Sequence, residues 1–171
     1  RAEFPLKYQI ACDGFILSVE GRADGIIELP KRVVIDEIKG VFKDLKRLKE
    51  PQLSHLAQAK CYAYIYAEQK NLEEIGVQMT YCNLDTEEIR RFQEVYTRAE
   101  LKKWFEELVS EYEKWARYQM EWRAKRNASI KTVEFPFEYR DGQKKLVASV
   151  YRTILRKKKL FIQAPTGVGK T

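Results

Sequence analysis

The sequence has few cysteines and no long apolar run. Cys12, Cys61 and Cys82 are an odd number of cysteines without CxxC spacing, which argues against a disulfide framework or a zinc ribbon and favours a reduced setting. No apolar stretch is long enough to span a bilayer, and the first residues lack the apolar core of a signal peptide. We therefore expect a cytoplasmic protein without a membrane partner, and the opening residues are typical of the interior of a longer protein.

The composition favours a polyanionic partner. The chain has 171 residues and a formal net charge of +7. This charge suits nucleic acid, and the three tryptophans and ten tyrosines would either pack in a core or stack on bases. Solvated lysines are nevertheless commoner than binding patches, so the charge alone does not decide the function. The length predicts one domain together with a fragment of a second.

The first half of the chain alternates between strand and helix patterns. Leu6 to Ile38 is rich in strand-forming residues interrupted by turns, which predicts three antiparallel strands. Gln52 to Gln69 has apolar residues at helical spacing and is predicted to pack on the sheet as a helix. Gly76 to Cys82 alternates as a strand, and a turn before Ile89 to Tyr96 predicts a hairpin.

A long helix is predicted to follow this hairpin. Thr97 and Glu100 form a capping box, so the helix should begin at Arg98, and its pattern continues to about Arg126. An apolar stripe on this helix favours packing over base stacking, and it comprises Leu101, Trp104, Phe105, Leu108, Tyr112 and Trp115. The composition changes near Asn127, which predicts domains at residues 1–127 and 128–171.

The last stretch of the chain has a pattern of its own. Gly142 to Lys158 is predicted to form a basic amphipathic helix, and Leu160 to Gln163 a short buried strand. This strand would lead directly into the glycine-rich segment Ala164 to Thr171.

Two acids and a lysine form the motif with the clearest chemistry. Asp24 and Glu37 lie on neighbouring predicted strands and would converge on one divalent cation, with the Ile38 carbonyl as a third oxygen ligand. Such hard ligands suit Mg²⁺ or Mn²⁺. Lys39 shares a strand face with Glu37, whereas Asp36 points the other way and is the weaker ligand candidate. The alternative is structural: a turn aspartate, a glutamate at a strand end and a lysine that pairs across the sheet.

The acid and acid-x-Lys pattern resembles the PD-(D/E)xK nuclease superfamily, especially its RecB-like and exonuclease-like branch. That branch places a Gln and a Tyr four residues apart on the next helix, which matches Gln58 and Tyr62. The resemblance implies an α/β fold with a restriction-endonuclease-like mixed sheet flanked by helices. It also implies catalytic roles for Asp24, Glu37, Lys39, Gln58 and Tyr62, and makes His55 a candidate for DNA binding or for a place beside the metal; the alternative for His55 is a surface or capping residue.

The sequence also departs from the family's pattern. The family usually carries another acidic or histidine residue on a helix before the first strand, and Glu3 is the only early acid here. The metal site is therefore expected to be incomplete in this stretch of chain. Isolated cysteines replace the cysteine cluster of the iron–sulfur branch, so we expect no iron–sulfur cluster.

The glycine-rich segment resembles a helicase form of the Walker A phosphate loop, and the text around it resembles the start of XPD-like and DinG-like helicases. The resemblance implies nucleotide binding through Thr166, Gly167, Gly169, Lys170 and Thr171. Gln143 becomes a candidate for the adenine site, with a helix-capping role as its alternative. We expect an incomplete P-loop helicase fragment at the C-terminus, and ATP to be a partner only of a complete motor.

These patterns together predict a Mg²⁺- or Mn²⁺-dependent DNA nuclease domain of an ATP-dependent helicase of the DNA-repair type. No ATPase activity is expected from the present chain. The alternative is a catalytically degenerate nuclease fold that serves the helicase as a DNA-binding module.

Overall fold

The computed structural model describes residues 1–134 and 136–163. The chain divides into two compact units, of which the first is Arg1–Glu121 and the second begins at Trp122. The predicted boundary near Asn127 stays a prediction.

A five-stranded mixed sheet forms the body of the first unit. Its strands are β1 (Ala2–Cys12), β2 (Phe15–Leu29), β3 (Arg32–Val41), β4 (Glu74–Asn83) and β5 (Ile89–Thr97), and they lie side by side in chain order. Strands β3 and β4 are parallel and the other neighbours are antiparallel. The three predicted antiparallel strands and the later hairpin are confirmed.

Helix α1 (Leu53–Lys70) makes the crossover that the parallel pair β3 and β4 requires. It packs on one face of the sheet, as predicted, where residues such as Ile35, Ile65 and Ile75 are fully buried. Burying a side chain of this size contributes about 1.5–3 kcal/mol. The helix ends at Asn71, which adopts the left-handed conformation and allows the Leu72 amide to donate to the Ala67 carbonyl at 2.9 Å.

Helix α2 (Arg98–Ile130) begins with the predicted capping box. The Thr97 amide donates to Glu100 Oε2 at 2.8 Å, and the Glu100 amide donates to Thr97 Oγ1 at 3.2 Å. These reciprocal bonds partner amides that have no acceptor within the helix.

The apolar stripe of α2 is buried only near its start. Leu101 and Phe105 belong to the core, whereas Leu108, Tyr112 and Trp115 are exposed. Helix α2 has 33 residues and α1 has 18, so α2 is about 50 Å long and α1 about 27 Å.

The second unit contains helix α3 (Gln143–Leu155), close to the predicted range. The predicted strand at Leu160 to Gln163 is wrong: these residues have no regular structure and are exposed, with Phe161 at 94%. An apolar run forms a strand only where a neighbour pairs with its backbone, and none does so among the described residues. The predicted phosphate loop, Ala164 to Thr171, lies outside the described residues.

None of the described helices combines the length and apolarity needed to cross a membrane.

Candidate active site

The sheet opens where the two predicted acidic ligands lie. Pairing between β2 and β3 ends at Gly25 and Asp36, so Asp24 and Glu37 are the next residues on each strand. Beyond this point β2 continues beside β1, and β3 continues beside β4. The two acids therefore face each other at the fork between diverging strands.

Asp24 lies at a local irregularity of β2. Ala23 and Ile26 both belong to the core, although residues three apart on a regular strand point to opposite faces. The side chains of β2 therefore switch faces between Ala23 and Ile26, and this switch changes the direction of the Asp24 side chain. Irregularities of this kind are common in sheets next to active sites. Asp24 Oδ2 accepts a hydrogen bond from the Ile38 amide at 2.8 Å, so the side chain takes the place of the lost backbone pairing.

Glu37 is a buried acid with one unsatisfied oxygen. Its side chain is 1% exposed, and its Oε1 accepts a hydrogen bond from Lys39 Nζ at 2.7 Å. Within residues 1–134 and 136–163, Glu37 Oε2 is the one buried side-chain nitrogen or oxygen without a hydrogen-bond partner. Burial raises the pKa of this carboxyl, the Lys39 amine opposes that rise, and the negative charge of Asp24 adds to it.

Lys39 connects the acid to helix α1. Its Nζ also donates to Gln58 Oε1 at 3.1 Å, and Gln58 Nε2 donates to the Tyr62 hydroxyl at 3.2 Å. An ammonium group can only donate, so it orients the carbonyl oxygen of the Gln58 amide toward β3. Gln58 and Tyr62 are four residues apart and share a helix face. The structure thus brings Glu37, Lys39, Gln58 and Tyr62 into one hydrogen-bonded chain.

Gly21 is a site neighbour that the sequence did not identify. A Cβ atom at this position would lie 2.4 Å from the Tyr62 hydroxyl oxygen and 2.7 Å from a ring carbon. The Tyr62 ring therefore lies directly against the backbone of β2, where only glycine leaves enough space. A glycine inside a strand pattern signals such a close approach, although it does not reveal which group approaches.

His55 lies at the start of α1 and contacts β4. Its Nδ1 is 3.1 Å from the Tyr81 hydroxyl, which also accepts a hydrogen bond from the Gln52 amide at 3.0 Å. Burial lowers the pKa of His55, and the positive charges of Lys39 and Lys43 lower it further. The contact with Tyr81 therefore holds the His55 ring near Lys39 and Lys43. Its role in DNA binding stays a prediction.

Comparison with known proteins identifies the family. Residues 1–129 match the model of the PD-(D/E)XK nuclease superfamily. The chain belongs to this superfamily. A solved structure described as "Crystal structure of SSO0001" is 21% identical, with a TM-score of 0.45, and the match covers 64% of this chain and 50% of that one. The chain thus spans half the length of that protein. No curated protein matches the sequence.

The donor set of this PD-(D/E)XK domain fits a hard divalent cation. Members of the superfamily are typically metal-dependent nucleases that use Mg²⁺ or Mn²⁺. Glu37 Oε2 is a buried carboxylate oxygen without a partner, and such an atom calls for an ion or a water molecule. Across the described residues, no three side chains of His, Cys, Asp or Glu are gathered as a metal site. Asp24 and Glu37 would therefore need backbone or water oxygens to complete a coordination shell.

Asp36 faces away from this pair of acids, in agreement with the sequence. Its Oδ1 accepts a hydrogen bond from Thr80 Oγ1 at 2.7 Å. Asp36 is therefore an acid on the same strand that points away from the candidate site, and it can serve as a control for substitutions of Glu37 and Asp24.

Gln143, the predicted adenine-site residue, lies in the second unit. Its Oε1 accepts a hydrogen bond from the Arg140 amide at 2.7 Å, and its own amide donates to the Arg140 carbonyl at 3.0 Å. These bonds close a turn before α3, whose N-cap is Gly142 without a side-chain cap bond. The adenine role and the capping role of Gln143 both stay predictions. Thr166, Gly167, Gly169, Lys170 and Thr171 lie outside the described residues.

Proposed function

We propose that this PD-(D/E)XK domain is a Mg²⁺- or Mn²⁺-dependent nuclease that cuts DNA. The observation that carries the proposal is the buried Oε2 of Glu37, which has no partner among the described residues. It belongs to a carboxylate that faces Asp24 and is already paired with Lys39 through its other oxygen. A cation and an ammonium group can act together on one phosphate, and this arrangement offers a ligand for the first and supplies the second.

Asp24, Glu37 and the carbonyl of Ile38 would hold the cation. When bound, the ion would polarise a phosphate oxygen and lower the pKa of an attacking water. The hydrogen bond from the Ile38 amide to Asp24 supports this assignment, because it holds the aspartate against the strand that carries Glu37.

Lys39 would stabilise negative charge on the phosphate. Its ammonium group is held by Glu37 and Gln58, which leaves one of its three N–H donors for a phosphate oxygen. Such preorganised donors stabilise developing charge without further reorganisation. Gln58 and Tyr62 would position the scissile phosphate, and their mutual hydrogen bond supports a joint role.

A second candidate function is a degenerate nuclease fold that binds DNA without cutting it. One observation favours it: across the described residues, only two acidic side chains lie at the fork, and one of them is already neutralised by Lys39. This alternative predicts DNA binding that is independent of metal.

We also propose that the domain works in an ATP-dependent helicase with a role in DNA repair. The support is the sequence alone, namely the run from Gly167 to Thr171 and its helicase-like flanks. ATP would be a partner of the complete motor. DNA-stimulated ATP hydrolysis by the protein encoded by the full reading frame tests this proposal, and a reading frame without further helicase motifs would contradict it.

Cleavage of end-labelled single-stranded and duplex DNA tests the nuclease proposal. Wild type should cut in Mg²⁺ or Mn²⁺ and not in EDTA. Asp24→Asn and Lys39→Met should each lower the rate by about 100-fold or more, as the loss of an electrostatic stabiliser commonly does. Asp36→Asn is the matched control and should cut like wild type. Equal cutting by all four proteins would exclude this site, and metal-independent binding without cutting would support the degenerate alternative.

A further inference from the structure

A short basic loop leads from β3 to α1 beside the candidate site. We define the basic loop as residues 42–49, which include four basic side chains and a single acid, Asp44. The four basic side chains are exposed, and they belong to Lys43, Lys46, Arg47 and Lys49. The basic loop therefore has three more basic than acidic side chains, and Glu50 follows it directly.

The backbone of the basic loop is firmly anchored. Leu45 is buried, and its carbonyl accepts a hydrogen bond from Arg90 Nη1 at 2.9 Å. Asn83 Nδ2 donates to the Lys43 carbonyl at 3.0 Å, and Asp44 Oδ1 accepts from the Lys46 amide at 3.0 Å. These contacts hold the main chain and leave the lysine amines in solvent. A preorganised loop binds a ligand with less loss of conformational entropy than a mobile one.

The lysines of the basic loop pair with none of the described acids. Among the described residues, no carboxylate lies within 4.0 Å of the amines of Lys43, Lys46 and Lys49, whereas Arg47 pairs with Asp44 at 3.5 Å. The adjacent Phe42 side chain is 73% exposed. Proteins that bind single-stranded nucleic acid use positive side chains to contact phosphates and aromatic rings to stack on bases. The basic loop offers both kinds of group.

The basic loop lies within reach of the candidate site. Lys43 follows Lys39 by four residues, so at most about 14 Å of extended chain separates them, which corresponds to about four nucleotides at a rise of about 3.4 Å each. The positive charges of both lysines lower the pKa of His55, so both lie near that ring. The loop also joins the strand that carries Lys39 to the helix that carries Gln58.

We infer that the basic loop is the surface that binds the backbone of the nucleic-acid strand next to the phosphate in the candidate site. This inference rests on the proposed function, since it assigns a path to the same substrate. Lys43, Lys46 and Lys49 contact phosphates, and Phe42 stacks on a base.

Salt-dependent binding of a fluorescein-labelled oligothymidylate tests the inference. Binding is measured in EDTA by fluorescence anisotropy, so that no cleavage occurs. The triple variant Lys43→Gln, Lys46→Gln, Lys49→Gln should bind more weakly. The slope of its plot of log affinity against log salt should be shallower by about 2, because each lost phosphate contact removes about 0.7 from the slope for single strands. Phe42→Ala should lower affinity about fivefold or more without changing the slope.

The matched control is the triple variant Lys31→Gln, Lys70→Gln, Lys103→Gln. It removes the same charge from exposed positions elsewhere in the first unit and should keep the wild-type slope. Thermal melting of each variant checks that it remains folded. Equal slopes for both triple variants and wild type, an equal change in both, or no binding by wild type would overturn the inference.

The cleavage assay separates this inference from the proposed function. Metal-dependent cutting by wild type with an unchanged slope in the loop variant would overturn the inference alone. A loop-dependent slope without any cutting would overturn the nuclease proposal and leave the basic loop as a binding surface.

Discussion

Lys39→Met removes the side-chain hydrogen-bond partner of a buried carboxylate. Lys39 Nζ lies 2.7 Å from Glu37 Oε1, and Glu37 is 1% exposed with its other oxygen already unpartnered. Methionine retains most of the aliphatic length of lysine and removes the amine. In the variant, neither oxygen of Glu37 has a side-chain partner among the described residues, and the backbone of Asp24 is the remaining hydrogen-bonding group that lowers the pKa of this carboxyl. The carboxyl must therefore remain charged without compensation or take up a proton.

The cost of this substitution should depend strongly on pH. Breaking a buried ion pair by removing one partner costs about 3–5 kcal/mol. Protonation limits this cost to about 1.4 kcal/mol for each pH unit above the ordinary glutamate pKa of about 4.3, which is about 5 kcal/mol at pH 8 and about 1 kcal/mol at pH 5. We therefore expect a loss of about 3–5 kcal/mol at pH 8, with a charge contribution of about 1 kcal/mol or less at pH 5.

Urea unfolding in EDTA at several pH values measures this loss. Glu37→Gln, Lys39→Met together should show no such pH dependence, because the titrating carboxyl is absent. Lys7→Met is the matched control: Lys7 pairs with Glu20 at 2.6 Å, and both side chains are more than half exposed, so little change is expected at any pH. An equal loss for Lys39→Met at pH 5 and pH 8 would refute the view that Glu37 is a buried acid dependent on Lys39.

Four further predictions concern the site, the long helix and one cysteine. Gly21→Ala should displace the Tyr62 ring and slow DNA cleavage without weakening Mn²⁺ binding, and a wild-type cleavage rate would contradict the close contact. Burial raises the pKa of Glu37 in the folded protein. Urea unfolding in EDTA should therefore show that wild-type stability falls as pH rises from below the ordinary pKa of a glutamate through the raised pKa of Glu37. Glu37→Gln should lack this decline. Thr97→Ala should cost about 1 kcal/mol in the same assay through loss of the helix cap. Burial raises the pKa of Cys61, a partly buried residue, to about 11. Iodoacetamide should therefore alkylate it at pH 8 more slowly in the native protein than in the unfolded one, and equal rates would contradict the raised pKa.

Regular spacing made much of the candidate site predictable. Glu37 and Lys39 share a face because strand side chains alternate, and Gln58 and Tyr62 share a face because helix residues four apart are neighbours. The crossover from β3 to α1 then brings the two faces together, as their hydrogen bonds show. These are local rules, and a sequence displays them directly.

Other features depend on long-range geometry that spacing does not contain. The hydrogen bond from the Ile38 amide to Asp24 arises because two strands part at this point, and the space beside Gly21 is defined by the Tyr62 ring. The apolar run at Leu160 to Gln163 has strand-like residues, but no pairing neighbour lies beside it in the described chain. Helix α2 ends at Ile130, four residues after the predicted end near Arg126. The difference arises because helical propensity alone does not define where a long exposed helix ends.

Mn²⁺ binding by isothermal titration calorimetry tests the central claim most directly, because it examines the metal site without relying on activity. The account predicts that wild type and Asp36→Asn bind Mn²⁺ with similar affinity, and that Glu37→Gln binds at least about tenfold more weakly because it loses a charged first ligand. Equal binding by Glu37→Gln and wild type would contradict the assignment of the unpartnered Glu37 oxygen as a metal ligand.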